Sequence, residues 1–209
     1  MKIKVCGMTN KQNLKQVAAL QPDYVGFIFY DKSPRHINSL KPLDMQNISA
    51  RKTGVFVNSS YEEVSNAIAL YGLDAVQLHG EEGSDFCSFF KDKGIEVIKA
   101  FGIDTDFDFT QLAGYYNSCD HFLFDTKGPG HGGNGFSFNW SVLKRYDQEK
   151  SFFLSGGIGL DNIEKIHELE DMNLYGVDIN SRVEDRPGIK NINMVRDIIS
   201  FLKNNKQPQ

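Results

Sequence analysis

The chain has 209 residues, 40% of them hydrophobic and 24% charged, with a formal net charge of −4. That length supplies one sizeable core and is short for two, so a single domain over residues 1–209 is expected. The acid excess gives no basic footprint for nucleic acid, although net charge says little about a local site for a small anion.

The first apolar run, "IKVCGM", begins almost at once, and no signal peptide is expected before it. "NKQNLKQVAAL" follows, with Leu14, Val17 and Ala18 at helical spacing behind a Thr9/Asn10 cap. Next come "YVGFIFY" and "TGVFVN", then "SSYEEVSNAIALYG", a helix with serine at its N-cap, Glu62 and Glu63 in its first turn and Gly72 at its end. "AVQLHG", "EVIKAFG", "HFLFDT" and "FFLSGGI" continue the series. "LDNIEKIHEL" places Ile163, Ile166 and Leu169 on one helical face, capped by Asp161. "YGVDIN" is the eighth run, and the last helix carries Ile192, Val195, Ile198, Ile199 and Leu202 as its inward stripe. The runs are rich in β-branched and aromatic residues and mostly do not alternate, which suits parallel strands buried on both faces. Eight such runs alternating with helical segments predict an α/β fold, a single (β/α)8 TIM barrel. An open doubly wound sheet is the alternative, but its usual GxGxxG after the first strand is replaced here by "CGMTN".

No apolar run approaches the roughly 20 residues that cross a bilayer, so no membrane partner is expected. The cysteines, Cys6, Cys87 and Cys119, are odd in number and widely spread. That is no disulfide framework, and a cytoplasmic protein is expected. Cys87 and Cys119 fall in or near helices and read as packing residues.

A barrel puts its active site at the C-terminal ends of its strands. Those ends carry Cys6, Ser33-Pro34-Arg35, Asn58, His79, Asp125, Ser155-Gly156-Gly157 and Asp178 with Asn180-Ser181. The loops "LSGGIG" and "VDINS" close the seventh and eighth runs, where barrels often cradle a phosphate on backbone amides; tight turns are the bland reading. Cys6 and Asp125 form an acid/base pair across a small substrate, against core packing for the thiol and a loop cap for the carboxyl. The thiol then needs a nearby cation or dipole to ionise, and the carboxyl needs burial or a negative neighbour to stay protonated. Arg35 suits a planar carboxylate or a phosphate, or is a solvated surface residue. His79 lacks companions at metal-ligand spacing, which favours substrate contact or structure over a metal. Lys99 could point into the barrel, where a Schiff-base role has no other support.

In order along nearly the whole chain, "KVCGMT", "GFIF" with "SPR", "GVFVN", "VQLHG", "FLFDT", "GGNGFSFNW", "LSGGI", "VDINSRVE" and "PGIK" resemble the phosphoribosylanthranilate isomerase family. The resemblance implies an isomerase of tryptophan biosynthesis acting by an Amadori rearrangement. Asp125 would be the general acid and Cys6 the general base, with Arg35 on the anthranilate carboxylate. Gly156, Gly157, Asn180 and Ser181 would hold the phosphate. His79, Asp178 and Gly133 are assigned to substrate contact, Gly133 within a loop, Gly132 to Gly135, that closes over the site. It further implies a small phosphosugar substrate, no metal or organic cofactor, and a monomer or homodimer. Two positions depart from the family pattern: Arg182 stands where a small residue is usual, and Asn134 where threonine is common. A metal-dependent epimerase would want paired His and Asp ligands at the rim, an indole-forming lyase would want catalytic lysines and glutamates, and a phosphosugar-binding barrel without catalysis would not need the Cys6/Asp125 pair.

Overall fold

The structure, a computed structural model, describes residues 1–128 and 139–204. Eight parallel strands close a barrel in sequence order: β1 (Lys2–Val5), β2 (Tyr24–Ile28), β3 (Arg51–Phe56), β4 (Ala75–Leu78), β5 (Glu96–Ile103), β6 (His121–Thr126), β7 (Phe152–Leu154) and β8 (Leu174–Ile179). The closing pair sets Ile3 against Val177 and Val5 against Ile179. Side chains of period two divide the strands between two apolar layers. Val5, Val25, Val76, Val97, Phe122 and Val177 face the surrounding segments. Tyr24, Ile98, Ala100, Leu123 and Phe153 fill the barrel interior.

Among the described residues four α-helices cover the barrel: α1 (Lys11–Ala18), α2 (Tyr61–Tyr71), α3 (Ser84–Lys91) and α4 (Ile192–Asn204). Asn10 caps α1 by accepting from the Gln12 and Asn13 amides, while Thr9 bonds the Gly188 carbonyl instead. Ser60 and Glu63 form a capping box on α2, and Gly72 ends it in the left-handed conformation that a side chain would strain. On α4, Val195, Ile198, Ile199 and Leu202 are buried as expected.

The sequence pattern overstates helix elsewhere. Residues 42–45, 109–115, 140–145 and 163–169 are 3-10 segments. In the last of these, Ile163, Ile166 and Leu169 are buried at a strict spacing of three, which matches three residues per turn. Asp161 does not cap this segment. Asn162 sits at its N-terminus and ties the preceding loop by donating to the Gly157 carbonyl and accepting from the Gly159 amide, each at 2.8 Å. Beyond β8 a short antiparallel hairpin, β9 (Glu184–Arg186) with β10 (Ile189–Lys190), precedes α4. Among the described residues no helix is long and apolar enough to cross a membrane.

Candidate active site

The C-terminal ends of the strands surround one cavity, lined by Cys6, Arg35, His79, Asp125, Gly156, Gly157, Asp178, Asn180 and Ser181. Nine predicted site residues from six separate stretches of chain thus meet at one mouth. Gly133 and the loop around it lie outside the described residues. Asn58 is on the rim but faces a neighbouring loop, where its Oδ1 accepts from the Glu81 amide at 2.7 Å.

Cys6 follows β1 directly and is 3% exposed. Burial pushes its thiol pKa up, and the Lys4 ammonium works against that rise. Lys4 lies two residues earlier on the same inward face and is fully buried, with Nζ 2.9 Å from Asp178 Oδ1. Asp178 in turn accepts from the Ser155 hydroxyl at 3.3 Å. Burial raises the Asp178 pKa, and Lys4 opposes that rise too.

Asp125 projects from β6 with 5% exposure. Its Oδ1 accepts from the Thr126 amide at 2.8 Å, and its Oδ2 lies 3.4 Å from His79 Nε2. The other His79 nitrogen, Nδ1, is 2.8 Å from Gln77 Nε2. Gly156 and Gly157 turn the chain beside this carboxyl with φ of +87° and +64°. A Cβ at Gly156 would sit 2.2 Å from Thr126 Oγ1 and 2.9 Å from Asp125 Oδ1, so only glycine fits. The Gly156 and Gly157 amides have no hydrogen-bond acceptor among the described residues. Free amides on a cavity wall make an anion site.

Arg35 is held more tightly than a surface arginine. Its Nε donates to both Glu184 oxygens at 3.0 Å, and Nη2 donates to Oε2 at 2.7 Å. Lys190, 1% exposed, donates to Glu184 at 2.6 Å and to Asn180 Oδ1 at 2.7 Å. Burial drives the Glu184 pKa up, but Arg35 and Lys190 outweigh it and hold the carboxyl below its ordinary range. One hairpin carboxylate therefore links the arginine of the β2 loop to the lysine that steadies the β8 loop.

A family model described as N-(5′-phosphoribosyl)anthranilate (PRA) isomerase matches residues 3–201. The chain belongs to this family. The N-(5′-phosphoribosyl)anthranilate isomerase of Parabacteroides distasonis is 41% identical over 203 residues, covering 95% of this chain and 92% of that one. The crystal structure of phosphoribosylanthranilate isomerase from Thermotoga maritima matches with a TM-score of 0.84 at 33% identity, over 98% of this chain and 99% of that one. A phosphoribosylanthranilate isomerase in complex with reduced 1-(o-carboxyphenylamino)-1-deoxyribulose 5-phosphate matches with a TM-score of 0.81 at 30% identity, over the same shares.

At the position that departs from the phosphoribosylanthranilate isomerase pattern, Arg182 lies along Gly159 of the β7 loop and pairs with Asp161 at 2.8 Å. Asn134 lies outside the described residues. Lys99 does not enter the barrel. It alternates with the inward Ile98 and Ala100, and its Nζ donates to the Gly80 carbonyl at 2.6 Å and to Glu82 at 3.0 Å. Cys87 and Cys119 are fully buried, as packing residues should be.

Lys4, Gln77, Glu184 and Lys190 drew no role from the sequence. Lys4 was within reach of strand periodicity, since residues i and i+2 share a face. Glu184 was not, because it meets Arg35 across 149 residues of chain.

Proposed function

We infer that the protein isomerises N-(5-phosphoribosyl)anthranilate to 1-(o-carboxyphenylamino)-1-deoxyribulose 5-phosphate by an Amadori rearrangement, in tryptophan biosynthesis. The observation that carries this reading is a thiol and a carboxyl lining one cavity beside two backbone amides that have no acceptor among the described residues, in a chain matched by the isomerase family over residues 3–201.

The substrate phosphate lies on the Gly156 and Gly157 amides, with Asn180 and Ser181 closing the other side. Arg35 takes the anthranilate carboxylate, its guanidinium oriented by Glu184. Asp125 gives its proton to the ribose ring oxygen, the C1–O bond breaks, and the nitrogen lone pair forms an iminium. Cys6, as thiolate, takes the proton from C2. The C–H electron pair becomes the C1–C2 double bond, and the iminium electrons return to nitrogen. The enolamine then tautomerises to the ketone. Rigid strand ends hold both groups at fixed distance from the reacting atoms, where misplacement by about 1 Å can cost on the order of 100-fold. These steps use acid and base groups alone, without metal or organic cofactor.

The residue roles are tested by separating binding from turnover. Cys6→Ser and Asp125→Asn should each reduce kcat by about 10²- to 10⁴-fold while binding reduced 1-(o-carboxyphenylamino)-1-deoxyribulose 5-phosphate nearly as well as the parent. Near-normal turnover in either variant removes that residue from the chemistry.

A further inference from the structure

Lys4 has no place in the steps above, yet it occupies the most demanding position near them. Its side chain is fully buried, and that of its partner Asp178 is 4% exposed. Removing two charges from water costs several kcal/mol per ion, and packed apolar residues of similar volume are often at least as stable. Stability therefore does not explain an ion pair inside the barrel.

The neighbourhood points to Cys6. Lys4 and Cys6 project from the same face, and Gly26 on β2 leaves one gap for both ends. A Cβ there would lie 2.6 Å from Cys6 Sγ and 3.1 Å from Lys4 Nζ. The ammonium donates to Asp178 at 2.9 Å, and its charge favours the thiolate across that shared gap. The charged groups facing the thiol are Lys4 from β1, Asp178 from β8 and Lys190 from β10. Ile28 of β2 and Val55 of β3 pack against it as apolar surface. Lys190 points to Glu184 and Asn180, whereas Lys4 shares the Gly26 gap with the sulfur and lies two residues before it on the same strand face.

We propose that Lys4 is a positioning residue for the isomerisation: its ammonium, pinned by Asp178, offsets the cost of burying charge and stabilises the Cys6 thiolate that removes the sugar proton. The proposal rests on the reading of Cys6 as base. Lys4 stays protonated throughout and donates a hydrogen bond only. The new S–H bond forms at Cys6 as the C2–H bond breaks. Asp178 plays the opposite part, its negative charge limiting how far the thiolate is favoured.

Opposite signs make the idea testable. The rate of Cys6 carboxamidomethylation by iodoacetamide, read from the mass of the Cys6 peptide, gives a pH midpoint for the thiol without any turnover. Lys4→Met should raise that midpoint by about one pH unit or more, and the acidic limb of kcat/KM should move with it. Asp178→Asn should lower the midpoint. A merely structural role would move both variants the same way. Should Lys4→Met fail to fold, the neutral pair Lys4→Met/Asp178→Asn compared with Asp178→Asn alone should show the same rise. An unmoved midpoint in Lys4→Met, or shifts of one sign in both variants, overturns the proposal. Full turnover in Cys6→Ser sinks the reading of the base, and the proposal with it; lost turnover there with an unmoved midpoint in Lys4→Met sinks the role of Lys4 alone.

Discussion

Arg35 and Glu184 show how a single residue becomes selective. A free arginine would sample many rotamers, whereas this one is fixed by three charge-assisted hydrogen bonds from the Nε–Nη2 edge of its guanidinium. Glu184→Gln should therefore weaken substrate capture, raising KM about 10-fold with little change in kcat. Arg35→Ala should raise KM further. Steady-state kinetics on purified variants separates the two constants, and an unchanged KM in Arg35→Ala would remove it from the site. At this scale the sequence showed the chemistry-bearing residues that sit at strand ends, because strand ends can be read from apolar runs. It did not show who holds them. Glu184 lies in a hairpin whose approach to Arg35 depends on the closed barrel, and Lys4 hides inside an apolar run as an apparently ordinary charge.

The β7 loop is the element on which anion binding turns. Gly156 and Gly157 adopt left-handed backbone, and Asn162 ties the loop from its far side. Gly156→Ala should cost at least about 1 kcal/mol in strain and raise KM by more than about 10-fold, since the new methyl would strike Thr126 and Asp125. Isothermal titration with inorganic phosphate checks the binding loss; unchanged affinity would place the phosphate elsewhere. Across the barrel from β7, in the loop after β3, Ser60→Ala should destabilise α2 by about 1 kcal/mol by breaking its capping box, with no effect on turnover. Eight strands were legible because each is a short apolar run bounded by turn residues. The crossovers were less so: an amphipathic pattern of spacing three reads as α-helix in sequence and folds as 3-10 here.

For the whole molecule, the two ends of the barrel divide the work. The end opposite the cavity carries His121, stacked on Tyr175 at 3.8 Å with Nδ1 2.7 Å from the Ser151 hydroxyl. Burial pushes its pKa down to about 4. The unfolded chain takes up this proton near its ordinary value of about 6.5, while the native state stays neutral until about pH 4. Stability should therefore fall as pH drops through that window, by up to about 3 kcal/mol from this residue. Denaturant unfolding at pH 7 and pH 4.5 checks the slope, and His121→Gln should flatten it. An equal slope in the variant would assign the loss to other groups. Barrel closure itself was readable from the count and spacing of runs, since eight βα repeats have few other ways to bury their strands.

The central claim is that this barrel converts the phosphoribosyl conjugate of anthranilate through Cys6. The direct measurement follows anthranilate fluorescence while N-(5-phosphoribosyl)anthranilate is generated in place, with EDTA present, for the parent protein and Cys6→Ser. Rapid consumption by the parent, absent in the variant, is the predicted result. No consumption by the parent, with phosphate binding intact, would contradict it and leave a barrel that holds phosphosugars without transforming them.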